Sequence, residues 1–485
     1  MTGVIPYLTV LYYLIVIVFF FSILLRNKNP LKTQSYLLLL VLLPILGIII
    51  YLFFGVDTRK RKLFSRKAIA DQRLLKEWSR YYTDFLSKNK SDMVELLQDK
   101  WRIPFLSWRN SFAPLFLQNT VTILNNGEEK YPVLFEKLLA ARHHIHIEYY
   151  IITEGKIFDR ICEILEQKAR EGVEVRLIYD SYGSRKVKNK TLRRLEKAGI
   201  QMGEYNPVLF PRFANRLNYR THRKIVIIDG EVGFTGGINL SDNYVNGKRK
   251  WPQRPKMWRD VHCMIEGNAC YSLQLLFFLD WYFVRNIALN IGPRYFPVGN
   301  SEGTSPTLIV GSEPDSDSPN IMETYFQLIS LAQKELFIAT PYFIPNESII
   351  TALKTTAKSG IRVVLLLPQE SDSFFVSAAS YTYLGELIKS DVEIHLYQKG
   401  MLHSKTIVVD QEVASIGTAN MDYRSFDSNA EVNAIIMDEE VAGKIRADFE
   451  NDLRDSHELS LTEWENRPAF QKLIGSVARL IAPLL

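Results

Sequence analysis

The sequence predicts an α/β protein made of one pattern used twice, giving two duplicated α/β/α lobes behind an N-terminal two-helix membrane hairpin. Three observations predict it. Two uncharged apolar runs lie before residue 57, a helix-and-strand pattern is passed through twice from about residue 119, and the octet HRKIVIID at 222–229 returns as HSKTIVVD at 403–410. At 485 residues the chain exceeds one typical domain, and its length favours two or three units.

The first run, YLTVLYYLIVIVFFFSILL at 7–25, and the second, YLLLLVLLPILGIIIYLFFG at 36–55, each reach the length needed to cross a hydrocarbon layer. A helical span of a ~30 Å layer takes roughly 20 apolar residues. The first run lacks the basic start and small-residue cleavage site of a signal peptide, and a second span follows it. Neither run has the polar face of a helix that packs on a soluble core. The connecting loop carries Arg26, Lys28 and Lys32, whereas the far flank carries Arg59, Lys60, Arg61, Lys62, Arg66 and Lys67. The heavier flank is expected to stay in the cytoplasm and to keep the catalytic part there, in a multi-pass cell-membrane protein with two spans within 1–57. The same basic cluster has a second reading of equal weight, as a contact for anionic lipid headgroups. Residues 58–118 read as a basic helical connector.

The chain holds 59 basic and 53 acidic side chains, a formal +6 that suits an anionic partner without naming it. Cys162, Cys263 and Cys270 are odd in number and show no CxxC spacing. That argues against a disulfide framework and a thiolate zinc site, and points to reduced, structural thiols.

The first pass runs through PVLFEKLLAARHHIHIEYYII, then GKIFDRICEILEQKAREGVEVRLIYDSYGS, then THRKIVIIDGEVGFTGGIN. The second runs through METYFQLISLAQKELFIATPYFIP, then ESIITALKTTAKSGIRVVLLLPQESDS, then HSKTIVVDQEVASIGTAN. Each holds a helix-period segment, an apolar strand, a helix stopped at Gly172 or Gly360, a second strand and the His/Lys frame. Alternating helix and apolar strand indicates sheets covered on both faces. The expected division is a first lobe at 119–290, a Gly/Pro/Ser-rich linker at 291–320 holding one short strand, TLIVG, and a second lobe at 321–485 with a C-terminal helix.

Side chains at i and i+2 of a strand share a face, so His222 points with Lys224 and His403 with Lys405. Each frame delivers a nucleophile-capable ring beside a fixed cation. Asp229 and Asp410 sit at an odd offset by a turn, where they support loop and lysine more readily than they touch substrate. The frames stay in step past the turn, with Gly236 and Gly417 fourteen residues after their histidines and Asn239 and Asn420 seventeen after. Glycine permits close backbone approach, and asparagine offers amide donors to a phosphate oxygen. This is the equipment of a phosphodiester site. Lysines and asparagines offset the charge of the transition state, one imidazole attacks phosphorus, and the other protonates the leaving alcohol and later deprotonates the incoming one. The chemistry calls for no metal and no other cofactor. A ring nitrogen used in attack needs its other nitrogen held by an acceptor, and Asp260 and Glu431, which follow the two frames, are the candidates.

The two HxKxxxxD signatures, His222/Lys224/Asp229 and His403/Lys405/Asp410, resemble those of the phospholipase D superfamily. TPYFIP, GTANMDYRSFDSNAEV, the NPLK loop and the ending WENRPAFQKLIGSVARLIAPLL look like bacterial cardiolipin synthases over nearly the whole chain. The resemblance implies two sandwich lobes of phospholipase D type packed with pseudo-twofold symmetry. It implies phosphatidylglycerol as donor and as acceptor, a covalent phosphatidyl-histidine, and cardiolipin and glycerol as products. It also implies His222 as nucleophile and His403 as acid and base, which the residues alone leave nearly symmetric. The pattern departs at Gly237, where many relatives have serine and the second frame has Thr418.

A hydrolase on the same scaffold is the competing reading, with water in place of the lipid alcohol, and an inactive scaffold is a third. The apolar runs disfavour a nucleic-acid substrate, and oligomeric state is not readable. His144, His146 and Glu148 share a strand face that superficially suits a metal, but the matching strand of the second lobe lacks such ligands. The final SVARLIAPLL reads equally as an amphipathic membrane contact or as a helix docked on the core.

Overall fold

The structure, a computed structural model, describes residues 5–26, 30–52, 76, 94–95, 97–207, 219–245, 257–297, 302–316 and 318–481. Lys28, the basic cluster from Arg59 to Lys67, most of the expected connector and part of the linker lie outside the described residues.

The first apolar run forms one helix, Ile5–Arg26. The second is divided into Pro30–Leu42 and Pro44–Ile50. Proline disfavours the helical region for the residue before it, and Leu43 accordingly takes φ −139° and ψ 71°. Ile23, Tyr36, Leu40 and Tyr51 are buried between the helices, and the Tyr51 hydroxyl donates to the Ser22 carbonyl at 3.2 Å. Most of the other large side chains, among them Val18, Leu25, Val41 and Ile45, are exposed. Among the described residues no helix is long and apolar enough to cross a membrane. The two expected spans therefore stand here as a helical hairpin with an apolar outer surface.

After β1 (Leu115–Phe116), the first lobe is built from β2 (Asn119–Asn125), β3 (His144–Tyr149), β4 (Glu174–Asp180), β5 (Gln201–Tyr205), β6 (Lys224–Ile228), β7 (Val232–Gly236), the short β8 (Met257–Arg259) and β9 (Val261–Gly267). Its seven-stranded sheet has the order β2-β9-β7-β6-β3-β4-β5, parallel through β3, β4 and β5 and antiparallel elsewhere. The second lobe comprises β10 (Thr307–Ser312), β11 (Glu335–Ala339), β12 (Phe343–Ile344), β13 (Arg362–Pro368), β14 (Val392–Tyr397), β15 (Gly400–Leu402), β16 (Thr406–Val409), β17 (Val413–Gly417), β18 (Met421–Asp422), β19 (Glu431–Ile436) and β20 (Ser456–Glu458). Its sheet runs β1-β10-β19-β17-β16-β11-β13-β14-β20, which is the order of the first lobe with one strand added at each edge.

The repeat thus holds strand for strand, but it starts earlier in the second lobe than its sequence suggests. TLIVGS, assigned to the linker, is β10, fully buried and paired with β19 along its length. Leu115 and Phe116, assigned to the connector, pair with β10 and so belong to the second sheet. A short buried run beside loop residues carries no mark of which sheet it will join.

Strands buried on both faces read as continuous apolar runs. Ile225 and Ile227 of β6 face a core shared by the two lobes, together with Phe277, Trp281, Phe337, Val408, Val432 and Ala434. Val226 and Ile228 face the first lobe's own core, and Ile407 and Val409 face that of the second. The sheets therefore share a common middle layer, to which the Cys270–Arg285 and Glu439–Arg454 helices also contribute, with other helices on the outer faces. Polar ties cross the seam. Arg259 Nε lies 2.8 Å from both carboxylate oxygens of Asp452, and Asn125 Nδ2 donates to Asp448 Oδ2 at 2.8 Å.

Candidate active site

The two His/Lys frames open β6 and β16 at the seam, where each leans on backbone of the opposite lobe. His222 N donates to the Ala430 carbonyl at 2.8 Å, and Ala430 N donates to the Arg220 carbonyl at 2.9 Å. On the other side β8 pairs in parallel with β15, and His403 N donates to the Arg259 carbonyl at 2.7 Å.

The ring partners are exchanged in the same way. His222 Nδ1 lies 2.9 Å from Glu431 Oε2, and His403 Nδ1 lies 2.7 Å from Asp260 Oδ2. The sequence offered these carboxylates as the groups following each frame, and the structure hands each one to the histidine of the other lobe. An ionised carboxylate only accepts, so it holds the proton on Nδ1 and leaves the Nε2 lone pair for chemistry. The aromatic rings of Tyr244 and Trp258 flank His403 at 6.0 and 5.3 Å, and Tyr150 meets His222 edge-on at 5.0 Å.

Lys224 Nζ donates to the His222 carbonyl at 2.7 Å, and Lys405 Nζ donates to that of His403. Both ammonium groups are buried, and burial brings Lys224 down to about 7 and Lys405 down to about 8. Burial also holds His403 down to about 4, helped by Lys405 and opposed by Asp260. His222 lies well below the usual histidine range through burial first, then the charges of Lys224, Lys405 and His403. Burial raises Glu431 to about 7, against the pull of Lys224 and of its donors Thr418 and Asn429. The cleft residues by themselves are thus short of negative charge. A phosphodiester anion set among the two lysines would relieve that shortage and raise the basicity of the rings.

One consequence concerns acid stability. His403 titrates at about 4 when folded and near 6.5 when unfolded, so the unfolded chain binds more protons across that window. Stability is therefore lost as pH falls from about 6.5 towards 4, by about 2 kcal/mol at pH 5 for this ring. Denaturant melts at pH 7 and pH 5 are expected to show that much less acid loss in His403→Asn than in the parent chain. Equal losses would mean that the ring is already protonated in the fold.

The remaining expected residues fall elsewhere. Asp229 and Asp410 lie at the far ends of their strands, in turns with φ of 55° and 54°. Asp229 accepts from the backbone N–H groups of Arg142, His143 and His144, and Asp410 from those of Gln333, Lys334 and Glu335. They pin the β6–β7 and β16–β17 turns to the starts of β3 and β11 and do not reach the histidines. Gly236, at φ 144°, and Gly417 serve packing. A Cβ at Gly236 would lie 2.6 Å from His262 Cα, and one at Gly417 would lie 2.2 Å from Asn433 Cγ. Asn239 accepts from Ile151 N and donates to the Tyr244 hydroxyl at 2.7 Å, while Asn420 donates to Asp422 Oδ2 at 3.3 Å. Both asparagines thus brace the loops behind the frames. His144 and His146 bond to Gln274, His146 also to Arg176, and Glu148 accepts from Thr221, so the residues of that strand face join protein networks.

The departure at Gly237 has a steric cause. A Cβ there would stand 2.0 Å from Asp260 Oδ1, so the glycine makes room for the carboxylate that holds His403. In the second lobe Thr418 Oγ1 instead donates to Glu431 Oε2 at 2.6 Å. Gly237→Ala is expected to dislodge Asp260 and cut turnover about tenfold or more, without altering either histidine. Unchanged kcat in that variant would show that Asp260 can shift without consequence. Thr418 and Asn429 as holders of Glu431, and the Tyr150, Tyr244 and Trp258 rings, were not singled out as site residues in the sequence. Only the hydroxyl directly after Gly417 gave any signal.

The family described as "Cardiolipin synthase, PLD-like domain" matches residues 134–250 and 325–453, and that described as "Phospholipase_D-nuclease N-terminal" matches 11–55. Cardiolipin synthase 2 of Bacillus anthracis is 39% identical over 467 residues, covering 96% of this chain and 88% of that protein. Cardiolipin synthase of Geobacillus thermodenitrificans is 38% identical over 463 residues, covering 95% and 90%. In fold, the chain is similar to the phosphatidylserine synthase of Haemophilus influenzae Rd KW20, with a TM-score of 0.59, 13% identity, and coverage of 79% of this chain and 100% of that one. With both lobes matched by the family model and near-full-length relatives 38–39% identical, this chain belongs to the cardiolipin synthase family of the phospholipase D superfamily and is a phosphatidyltransferase.

Proposed function

We propose that the chain joins two phosphatidylglycerol molecules, giving cardiolipin and glycerol through a phosphatidyl-histidine. The observation that carries this reading is the crossed pair of imidazoles, each fixed at Nδ1 by a carboxylate of the other lobe. His222 Nε2 attacks phosphorus of the donor, the bond from phosphorus to the headgroup glycerol breaks, and His403 gives that oxygen its proton. His403 then takes a proton from the headgroup hydroxyl of the second lipid, whose oxygen attacks phosphorus and displaces His222. Asp260 stabilises the imidazolium form of His403 before the first step and again after the second, and holds the neutral ring by its Nδ1 between them. Lys224 and Lys405 offset the charge on the phosphoryl oxygens.

In this reading the 1–57 hairpin is inserted in the cell membrane as a multi-pass anchor, with the basic 58–118 connector and both lobes on the cytoplasmic side. Its exposed apolar surface supports that placement. Purified protein given phosphatidylglycerol in detergent with chelator is expected to yield cardiolipin and glycerol in equal amounts. Phosphatidic acid as the main product would overturn the transferase reading in favour of a hydrolase.

A further inference from the structure

We propose that the C-terminal helix, Ala469–Ile481, together with the start of the Phe374–Ile388 helix, forms a second membrane-contact surface that, alongside the hairpin, seats the cleft on an anionic lipid bilayer. The inference rests on the reading that the substrate is a bilayer lipid.

Four large apolar side chains of the C-terminal helix face away from the protein, with Phe470 71% exposed, Leu473 63%, Val477 52% and Leu480 56%. Their spacing of three, four and three residues puts them in one stripe. The helix does not need that stripe for docking. It packs on the Phe374–Ile388 helix through another face, at Gly475 and Ala478, and a Cβ at Gly475 would come within 2.9 Å of Thr382 Cγ2. Four exposed apolar residues on one helical face are costly in water and favourable in the boundary between headgroups and acyl chains.

The neighbouring charges favour lipid over a second protein surface. Arg467, Lys472 and Arg479 line a cavity of about 510 Å³ with Trp464, Thr382, Ser476 and Glu465, whose carboxylate is paired with Lys389 at 3.0 Å. Arg467 stacks on Trp464 at 4.1 Å, and Arg479 lies 4.4 Å from the centre of the Tyr383 ring and 3.4 Å from Glu386. Cations beside an apolar stripe, over a groove with aromatic walls, match a headgroup phosphate placed above its own acyl chains.

Two contacts join this surface to the rest of the machinery. The Leu480 carbonyl accepts from Ser35 Oγ at 2.8 Å, which ties the helix end to the Pro30–Leu42 helix of the apolar hairpin. At the other side, Phe374 and Phe375 are 65% and 56% exposed at the start of the supporting helix. They follow Asp372, which accepts from the Tyr342 hydroxyl at 2.6 Å and whose charge is felt by Lys405. The apolar rim thus begins beside the cleft and continues to the hairpin.

The test uses the full chain with one added thiol, Val477→Cys, labelled with an environment-sensitive bimane. Cys162, Cys263 and Cys270 are buried, and burial pushes the Cys162 and Cys263 thiols up to about 12, so the new thiol reacts selectively. In phosphatidylglycerol vesicles the label is expected to be quenched at least twofold by brominated acyl chains and to be protected from aqueous iodide. Quenching by iodide and not by bromine overturns the proposal. So does shielding from both, which would place a second copy of the chain on the stripe. In a parallel arm, Leu473→Ser/Val477→Ser is expected to turn over bilayer phosphatidylglycerol about tenfold more slowly while keeping its rate on short-chain phosphatidylglycerol dispersed as monomers. Equal loss in both arms, or loss in neither, overturns the proposal. Failure of the parent chain to make cardiolipin would sink the proposed reaction, yet the quenching would still report on the surface.

Discussion

His222→Ala is expected to lower phosphatidyl transfer by at least about 10⁴-fold while the protein stays folded, because no other side chain can take over a covalent step at that position. His403→Ala is expected to look the same with phosphatidylglycerol, since loss of the proton donor stops departure of a poor leaving group. The two variants separate when the donor carries an acidic leaving group such as nitrophenol, which departs without a proton. His403→Ala is then expected to release one equivalent of nitrophenol in a burst and to hold the phosphatidyl group on His222. His222→Ala is expected to give no burst. A burst from His222→Ala instead would exchange the two roles.

The second large effect concerns the exchanged carboxylates. Glu431→Gln removes the acceptor that fixes His222, and Asp260→Asn the one that fixes His403. Each is expected to cost about 100-fold or more in kcat, as loss of a ring-orienting partner does when the wrong tautomer becomes available. Their behaviour with the nitrophenol donor should cross the lobes. Asp260→Asn, acting through His403, is expected to recover the burst, whereas Glu431→Gln, acting through His222, is not. Recovery in the opposite variant would mean that each carboxylate serves the histidine of its own lobe in solution, contrary to the geometry. Adding Glu431→Gln to His222→Ala is expected to cost nothing further.

Much of this was legible in the sequence. Continuous apolar runs alternating with helical patterns placed the doubled sheet, because strands such as KIVII and TIVV are buried on both faces and carry no polar interruption. The histidines, lysines and carboxylates were legible because their types and spacing recur. What stayed hidden was set by proximity across the seam. Asp260 and Glu431 each follow a frame along the chain, yet each reaches the frame on the other side, and no spacing within one lobe encodes that exchange. The glycines and asparagines shared by the two frames reflect a second limit. Gly236 and Gly417 recur because adjacent strands press on them, and Asn239 and Asn420 because they brace loops, so the recurrence marks repeated architecture as readily as repeated chemistry. The second apolar run reads as one continuous span, and its division at Leu43, before Pro44, emerges only in the structure.

The exchange of carboxylates also decides what would disable the enzyme first. Neither half owns a complete reacting group, so the alignment of both rings is a property of the join between them, held by contacts such as Arg259 with Asp452. Mild denaturant or heat that lets the halves slip by a fraction of an ångström would silence catalysis while each half kept its secondary structure. Lost turnover is thus an early gauge of loosening at the join, ahead of any change in ellipticity.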